Sequence, residues 1–297
     1  MSELTEDLHP TRYRIDSPDK FRLKDFDPGD TGEIQSKEGV SKRLKKSVTT
    51  ICELQEKLYA QAEWSLLLVF QAMDTAGKDA TIKHVLSGVN PQGCTVTSFK
   101  TPSQEELAHD FLWRASKAMP ERGRIGVLNR SYYEEVLVVK VHPEYLGNQR
   151  IPKKLVTKRI WRERYASIND FERHLTRNGT VVLKFFLHLS PEEQRRRILD
   201  RIDRKEKHWK FNKDDLVERK LWDRYMNAFE EMVRATSPAH APWHVVPADH
   251  KWFTQLVVSS IVIEKLRSLH LHFPKLSSKE KKQMARARAE LAGSKSK

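Results

Sequence analysis

The stretch at 71–79, QAMDTAGKD, holds the residues of this chain best suited to chemistry. It follows an apolar run at 64–70 and precedes apolar residues at helical spacing between 82 and 89. A loop between a strand and a helix binds phosphate well, because main-chain N–H groups at the start of the helix point at the anion. The predicted nucleotide- and phosphate-binding residues of this segment are Thr75, Ala76, Gly77, Lys78, Asp79 and Lys83, with Asp74 and Lys78 predicted to be catalytic.

The loop departs from the general phosphate-loop pattern G-x-x-x-x-G-K-S/T at two positions. Ala72 stands where the first glycine belongs, and Asp79 stands where a magnesium-binding hydroxyl belongs. Asp74 adds a carboxylate to a loop meant for anions, which is reasonable if a divalent cation lies between that carboxylate and the phosphates. The alternative interpretation is an ordinary strand-to-helix turn with Lys78 in solvent.

A second segment, IGVLNRSYYEE at 125–135, reads as a buried strand followed by polar residues. Its carboxyl end delivers Asn129 and Arg130 to the edge where open α/β sheets build their sites. A strand of this type usually ends in an aspartate that reaches magnesium, whereas Asn129 offers a neutral oxygen and Glu134 can restore the charge. We therefore expect Asp74, Asn129 and Glu134 to hold the metal, and Asn129 and Arg130 to bind phosphate, with Arg130 also catalytic.

A basic helix is predicted after Ser190, with Ser190 as its N-cap, Pro191 in its first turn and Glu193 closing a capping box. A second helix is predicted over 214–236. The two form a helical hairpin between the last two predicted strands.

Arg197, Arg201 and Arg204 share one face of the basic helix, because they stand at i, i+4 and i+7. Such a stripe can bind a linear polyanion. The alternative interpretation is a solvated helix face whose arginines pair with Asp200 and Asp203.

Strands and helices alternate along the chain in the order that a parallel sheet requires. The predicted core strands are 64–70, 95–99, 125–129, 180–189 and 243–246. Helices are predicted at 78–89, 103–119 and 155–177, and an amphipathic helix around 44–58 precedes the first strand.

Composition limits the class of protein. The 297 residues, 38% of them hydrophobic, suffice for a real core. The apolar runs are far shorter than the roughly 20 residues of a membrane helix. The first ten residues show no apolar signal segment, and the two cysteines make no disulfide framework, so the expectation is a cytoplasmic protein with no membrane partner.

The formal net charge is +14, and two segments, 195–213 and 275–297, carry most of the excess. A polyanion such as a nucleic acid is the usual partner of such a chain. No RNA-recognition motif or zinc finger is visible, and Pro242 between His240 and His244 argues against a helical zinc site.

Several motifs together resemble the polyphosphate kinase 2 family over about 13–266. They are QAMDTAGKD (71–79), NPQGC (90–94), HDFLWR (109–114), NRSYYE (129–134), FRLKDFDP (21–28), WKF (209–211), APW (241–243) and PADHKW (247–252).

The resemblance implies a P-loop kinase-like α/β fold, a three-layer α/β/α arrangement with a five-stranded, mostly parallel sheet and a helical lid. The expected divisions are an N-terminal extension (1–40), the kinase domain (41–270) with its lid at about 191–236, and a basic tail (271–297). The resemblance also implies Mg²⁺ as the cofactor, with Mn²⁺ as an alternative. It further implies a homo-oligomer, either a dimer or a tetramer.

The implied activity is reversible, direct in-line phosphoryl transfer from inorganic polyphosphate to AMP and ADP, forming ADP and ATP. Lid residues that contact polyphosphate in the family correspond to Arg201 and Lys207, with Arg197 and Arg204 as further candidates. Many one-domain members carry Asp and Asn where this chain has Asn129 and Glu134, and the reversed pair resembles the branch that acts on both AMP and ADP.

Two other functions remain open from the sequence. One is an ATP-dependent nucleoside monophosphate kinase of the same fold, and the other is a non-enzymatic nucleic-acid-binding protein. The poor match to the general phosphate-loop pattern and the basic lid count against the first. Nucleic acid is not an expected partner.

Overall fold

The computed structural model describes residues 8–34 and 39–293. Its strands are β1 (Ser65–Ala72), β2 (Cys94–Ser98), β3 (Ile125–Asn129), β4 (Thr180–His188) and β5 (Trp243–Pro247). Its α-helices are α1 (Val40–Gln61), α2 (Lys78–Val85), α3 (Gln104–Ala108), α4 (Trp113–Ser116), α5 (Val138–Val141), α6 (Ile160–Arg177), α7 (Pro191–Asp203), α8 (Asp214–Arg219), α9 (Trp222–Ala235), α10 (Lys251–Ser268) and α11 (Ser278–Gly293).

In the described part of the chain, the strands form one five-stranded sheet in the order β2-β3-β1-β4-β5. Every strand pair is parallel, which confirms the predicted sheet. The register places Phe70 of β1 beside Asn129 of β3 and Phe185 of β4. The carboxyl ends of the strands therefore meet at one edge, where the loops that follow β1 and β3 lie side by side.

Apolar residues of β1 alternate between two cores, one on each face of the sheet. Leu66, Leu68 and Phe70 pack into one cluster, with apolar residues of α1, α2 and α10. Leu67 and Val69 pack into the other, with apolar residues of α6 and α9. Because both faces of a parallel sheet are covered, its central strand is a continuous apolar run. The expected three-layer α/β/α arrangement is confirmed.

Two predicted helices were wrong as single elements. The segment at 103–119 is divided into α3 and α4, because the Asp110 carboxylate accepts a hydrogen bond from the Leu112 N–H at 2.9 Å and competes with the helical pattern. The segment at 214–236 is divided into α8 and α9. There, Lys220 and Leu221 donate to carbonyls three residues back, which tightens and ends α8.

The start of α7 is partly as predicted. Ser190 is the N-cap, and its hydroxyl accepts from the Glu193 N–H at 3.1 Å. The predicted capping box is wrong, because the Ser190 N–H donates to Asp249 instead, at 2.8 Å. The Glu193 carboxylate accepts from Arg196 and Arg197.

The N-terminal segment 8–34 packs on the sheet domain. Tyr13, Ile15, Phe21 and Leu23 are buried, and the Ile15 N–H donates to the carbonyl of Trp243 in β5. In contrast, α11 is exposed along its described side chains. The predicted domain boundaries remain predictions, and residues 1–7, 35–38 and 294–297 of the predicted terminal segments lie outside the described residues. Within the described ranges, none of the helices combines the length and apolar character that crossing a membrane demands.

Candidate active site

The loop between β1 and α2, residues 73–77, is termed here the P loop. Thr75 and Gly77 have φ angles of 69° and 103°, so the loop turns sharply before α2 begins at Lys78. The Lys78 ammonium folds back and donates to the carbonyls of Ala72 at 2.9 Å and Met73 at 3.4 Å. Burial lowers the pKa of Lys78, and the carboxylate of Asp74 opposes that shift. Lys78 is thus a half-buried cation held over the loop.

Arg130, directly after β3, reaches the P loop. Its φ of 61° turns the chain at the sheet edge. Its Nη2 donates to Asp74 Oδ1 at 2.8 Å, and its Nη1 lies 3.7 Å from Glu134 Oε2. The carboxylate of Glu134 is the main cause of the raised pKa of Arg130. The structure therefore brings together Asp74, Lys78, Arg130 and Glu134, as the sequence predicted.

Two further predicted residues, Asn129 and Asp79, lie beside this cluster and are hydrogen-bonded to each other. The Asn129 side chain donates its Nδ2 to Asp79 Oδ1 at 2.6 Å. Burial raises the pKa of Glu134, while Arg130 and Lys78 lower it. The cluster is therefore a compact set of charges in which each carboxylate is opposed by a cation.

The donor types suit a hard divalent cation, since carboxylate and amide oxygens are the ligands that Mg²⁺ takes in proteins. Asp74 and Glu134 supply carboxylates, and Asn129 has an amide oxygen in addition to the Nδ2 that donates to Asp79. In the present arrangement both carboxylates face Arg130. No group of three or more His, Cys, Asp or Glu side chains is close enough for a metal in the described residues. The donor types of Asp74, Asn129 and Glu134 therefore fit Mg²⁺, although both carboxylates are paired with Arg130 in this structure.

A cleft of about 610 Å³ opens over the P loop. Its basic lining residues are Lys78, Lys100, Arg130, Arg197, Arg201, Lys207, Lys210 and Lys251, and its acidic ones are Asp74, Asp79 and Asp200. We call it the basic cleft. The excess of cations gives the cleft a positive potential that suits a polyanion.

The lid residues Arg201 and Lys207 line the basic cleft, whereas Arg204 does not. Arg201 lines the basic cleft and donates from Nη1 to Asp215 Oδ2 at 2.9 Å and to the Lys210 carbonyl at 3.1 Å. Lys207 also lines the basic cleft and is paired with Asp200. Arg204 is exposed and pairs with Glu206.

Two of the predicted lid arginines do not continue an exposed helical stripe. Arg204 follows the end of α7 at Asp203, so it is outside the helix, although its Nη1 still lies 3.8 Å from Asp200. Arg197 is only 6% exposed, and its guanidinium turns towards the P loop. The shared face that the spacing predicted is thus broken by the end of the helix and by burial.

Lys83, which was predicted to bind phosphate, lies away from the basic cleft. It is exposed on α2, one turn beyond the P loop, and is not among the residues that line the basic cleft. Three lysines that line it were not among the predicted phosphate-binding residues: Lys100, Lys210 and Lys251. Lys100 and Lys251 each follow the carboxyl end of a strand, β2 and β5, which is the signal that could have found them.

A second pocket of about 290 Å³ adjoins the basic cleft and shares with it Phe99, Lys100, Thr101 and Arg130. Its other walls are more apolar and include Leu107, Val138, Val139 and Tyr145. We call it the side pocket. An apolar pocket that opens beside a cluster of cations suits a ligand with a ring at one end and phosphate at the other.

Comparison with known proteins identifies the family. Residues 34–273 match the family model described as Polyphosphate kinase 2 (PPK2). The chain belongs to the polyphosphate kinase 2 family. A PPK2 crystal structure from Arthrobacter aurescens TC1 is similar, with a TM-score of 0.85 and 39% identity, over 93% of this chain and 96% of that chain. The predicted family and the P-loop kinase-like fold are therefore confirmed.

Two curated relatives of this PPK2 chain match along nearly their whole length. A protein of Rhodopseudomonas palustris, named ADP-polyphosphate phosphotransferase, is 47% identical over 94% of this chain and 97% of its own. A protein of Meiothermus ruber, named AMP/ADP-polyphosphate phosphotransferase, is 44% identical over 89% of this chain and 95% of its own. The names of these relatives differ in the acceptor nucleotide.

Proposed function

We propose that this chain is a polyphosphate-dependent nucleotide kinase that transfers a phosphoryl group from inorganic polyphosphate to AMP and to ADP. The observation that carries the proposal is the basic cleft of a PPK2 chain, which opens over the P loop and is lined by eight basic residues. A linear chain of phosphates matches that excess of positive charge.

The donor end of polyphosphate would bind over the P loop. Lys78 lies there half-buried, and Arg130 stands at the neighbouring strand end. Arg201 and Lys207 line the same cleft from the lid side, and Lys251 lines it from the start of α10. These cations would neutralise the charge that spreads over the phosphoryl oxygens during transfer, which is the main contribution a protein makes to this reaction.

The acceptor nucleotide would bind with its base in the side pocket. Arg130 and Lys100 belong to both the side pocket and the basic cleft, so they mark where an acceptor phosphate would meet the donor. This placement favours direct in-line transfer, in which positioning and charge neutralisation do most of the work. No covalent intermediate on the protein is needed, and the reaction is reversible.

We propose Mg²⁺ as the cation, with Mn²⁺ as an alternative, held by Asp74, Asn129 and Glu134. When bound, the ion would supply charge neutralisation and alignment of phosphate oxygens. Arg130 would then leave at least one of its two carboxylate partners and turn towards the phosphoryl group. The carboxylates of Asp74 and Glu134 would then be neutralised by the metal ion in place of the Arg130 guanidinium.

Both AMP and ADP are proposed as acceptors because Asn129 and Glu134 resemble the pair of the branch that uses both. The name of the Meiothermus ruber relative includes both nucleotides. The proposal also includes a cytoplasmic homo-oligomer, a dimer or a tetramer, as the family resemblance implies.

The proposal is tested by a comparison of donors. Purified protein is given Mg²⁺ and AMP with either polyphosphate or ATP as the donor, and kcat/KM is measured for each. We expect efficient turnover with polyphosphate. Turnover with ATP alone would instead indicate a nucleoside monophosphate kinase, and tight nucleic-acid binding without turnover would indicate a binding protein.

A further inference from the structure

Arg197 has every guanidinium donor occupied by protein groups. Its Nε donates to Glu193 Oε1 at 2.7 Å. Its Nη1 donates to the carbonyls of Thr75 at 3.0 Å and Ala76 at 2.9 Å. Its Nη2 donates to the carbonyls of Ala248 at 2.7 Å and Asp249 at 2.9 Å. A guanidinium has five N–H donors, so this side chain retains none for a phosphate.

The P loop is held from α7 at three consecutive carbonyls. Arg197 binds those of Thr75 and Ala76, and Gln194 donates its Nε2 to that of Asp74 at 3.2 Å. Gln194 is oriented in turn by Arg219, whose Nη1 donates to Gln194 Oε1 at 2.8 Å. Side chains of α7 therefore form hydrogen bonds to the backbone of the P loop, in addition to lining the basic cleft.

Holding a carbonyl also sets the direction of the N–H group in the same peptide. In a trans peptide the two point to opposite sides, so the bond from Arg197 to the Ala76 carbonyl directs the Gly77 N–H away from the guanidinium. Phosphate binding by a P loop depends on the directions of such N–H groups. A side chain that fixes them can therefore affect phosphate binding without contacting phosphate.

The same guanidinium ties the P loop to the segment between β5 and α10. Ala248 and Asp249 precede Lys251, which lines the basic cleft. Gly77 of the P loop lies between Arg197 and Lys251. A Cβ built on Gly77 would be 3.8 Å from Arg197 Nη1 and 3.9 Å from Lys251 Cγ. Arg197 thus joins the P loop to the segment that carries Lys251, a lysine that lies next to the loop.

Arg201 provides a contrast one helical turn later on the same helix. Both of its described hydrogen bonds come from a single nitrogen, Nη1, and its side chain is 23% exposed in the basic cleft. Its guanidinium has donors that can reach a ligand.

We propose that Arg197 is a positioning residue that acts on phosphoryl transfer through the P loop, whereas Arg201 contacts the polyphosphate itself. This inference rests on the proposed function, because polyphosphate is the ligand by which the two arginines are distinguished. It changes the role that the sequence suggested for Arg197.

The experiment compares Arg197→Gln, Arg197→Lys and Arg201→Gln. Polyphosphate affinity is measured at several salt concentrations, since the slope of log K against log salt counts the cations that neutralise phosphates. We expect Arg201→Gln to make the slope shallower by roughly one contact, and both Arg197 variants to keep the wild-type slope. We expect kcat to fall roughly tenfold to a hundredfold in both Arg197 variants, because a small displacement of the P loop misaligns the reacting groups. Lysine should not rescue turnover, since it restores the charge but not the planar fork.

A slope that falls as much in Arg197→Gln as in Arg201→Gln, or full rescue by Arg197→Lys, would overturn the proposal. A second measurement needs no polyphosphate. Amide hydrogen exchange at 74–77 in the ligand-free protein should speed up in Arg197→Gln and not in Arg201→Gln, and equal exchange in the two would refute the positioning role. If the wild type neither binds nor uses polyphosphate, the proposed function fails, while the exchange result still decides the role of Arg197.

Discussion

The guanidinium of Arg130 lies 2.8 Å from the carboxylate of Asp74 and so joins the end of β3 to the P loop. The same guanidinium lies 3.7 Å from Glu134. Two carboxylates near bound phosphates would repel the substrate unless a cation compensates them. Arg130 supplies that compensation, and in the proposed mechanism it turns from at least one of these carboxylates towards the phosphoryl group.

Lys78→Ala and Arg130→Ala should each lower turnover about a hundredfold or more. Loss of one cation from a phosphoryl-transfer site typically costs about 3 kcal/mol in the transition state. The measurement is kcat with polyphosphate and ADP, with thermal unfolding to establish that the variants fold. Lys83→Ala is the matched control, because Lys83 is exposed on the same helix as Lys78 and should be nearly silent. A near-normal rate in Lys78→Ala or Arg130→Ala would remove that residue from the mechanism.

Glu134→Gln should raise the Mg²⁺ concentration needed for half-maximal activity. The substitution keeps the shape of the side chain but removes the negative charge that we assign to the metal. Turnover is followed across a Mg²⁺ titration at fixed polyphosphate. A glutamine at this position would also bind Arg130 less strongly than Glu134 does, which leaves Arg130 freer to turn towards the phosphoryl group. Turnover at saturating Mg²⁺ should therefore recover at least partly. An unchanged titration curve would remove Glu134 from the metal site.

The buried pair Lys184–Glu172 should stabilise the fold only as a pair. Both side chains are fully buried, and Lys184 donates to Glu172 Oε2 at 2.6 Å, to the Tyr133 hydroxyl at 2.9 Å and to the Thr236 carbonyl at 2.6 Å. Lys184→Met should cost about 3–5 kcal/mol of unfolding free energy, because it leaves the buried Glu172 carboxylate without its cation and with the Tyr132 and Tyr133 hydroxyls as its remaining donors.

The double variant Lys184→Met with Glu172→Gln should cost clearly less than the sum of the two single variants. Chemical denaturation of all four proteins in this cycle measures the coupling. Strict additivity would show that the pair contributes nothing as a pair.

Stability should decrease on acidification below neutral pH, in part through His188 and His244. Burial lowers the pKa of each to about 4, from an ordinary value of 6.5. Between about pH 4 and 6.5 the unfolded chain therefore binds more protons at these positions than the folded protein does. Unfolding free energy must then rise with pH through this interval and level off above it, by on the order of 3 kcal/mol for each histidine.

The check is urea denaturation at pH 5 and pH 7 for the wild type and His244→Gln. Carboxylates titrate in the same range, so the difference between the two proteins isolates the histidine. The variant should lose less stability on going to pH 5 than the wild type does. An equal loss in both would contradict the assignment to His244.

The strand positions were predictable because they depend on local sequence. β3 was predicted residue for residue at 125–129, since a short apolar run is followed by the polar Asn129. The Asp74, Lys78 and Arg130 cluster was predictable too, because parallel strands deliver their carboxyl ends to one edge. Helix continuity was less predictable, as Asp110 shows, because one side-chain bond to a local N–H outweighed the helical pattern over 103–119.

The environment of Arg197 could not be read from spacing alone. Helical periodicity tells which residues share a face, but not which group that face meets. The carbonyls that Arg197 binds come from loops after β1 and after β5, more than 120 and about 50 residues away along the chain. Only the packing of α7 across the sheet edge brings them together. The absence of Arg204 from the stripe has a simpler cause, since α7 ends at Asp203.

The most direct measurement is to mix the purified protein with Mg²⁺, long-chain polyphosphate and AMP, without ATP, and to follow nucleotides by chromatography. Lys78→Ala serves as the control for contaminating kinases. The account predicts ADP first and ATP later in the wild type, and neither above background in the control. Product from added ADP but not from AMP would contradict the acceptor assigned through Asn129 and Glu134, and no product from either acceptor would contradict the proposed function.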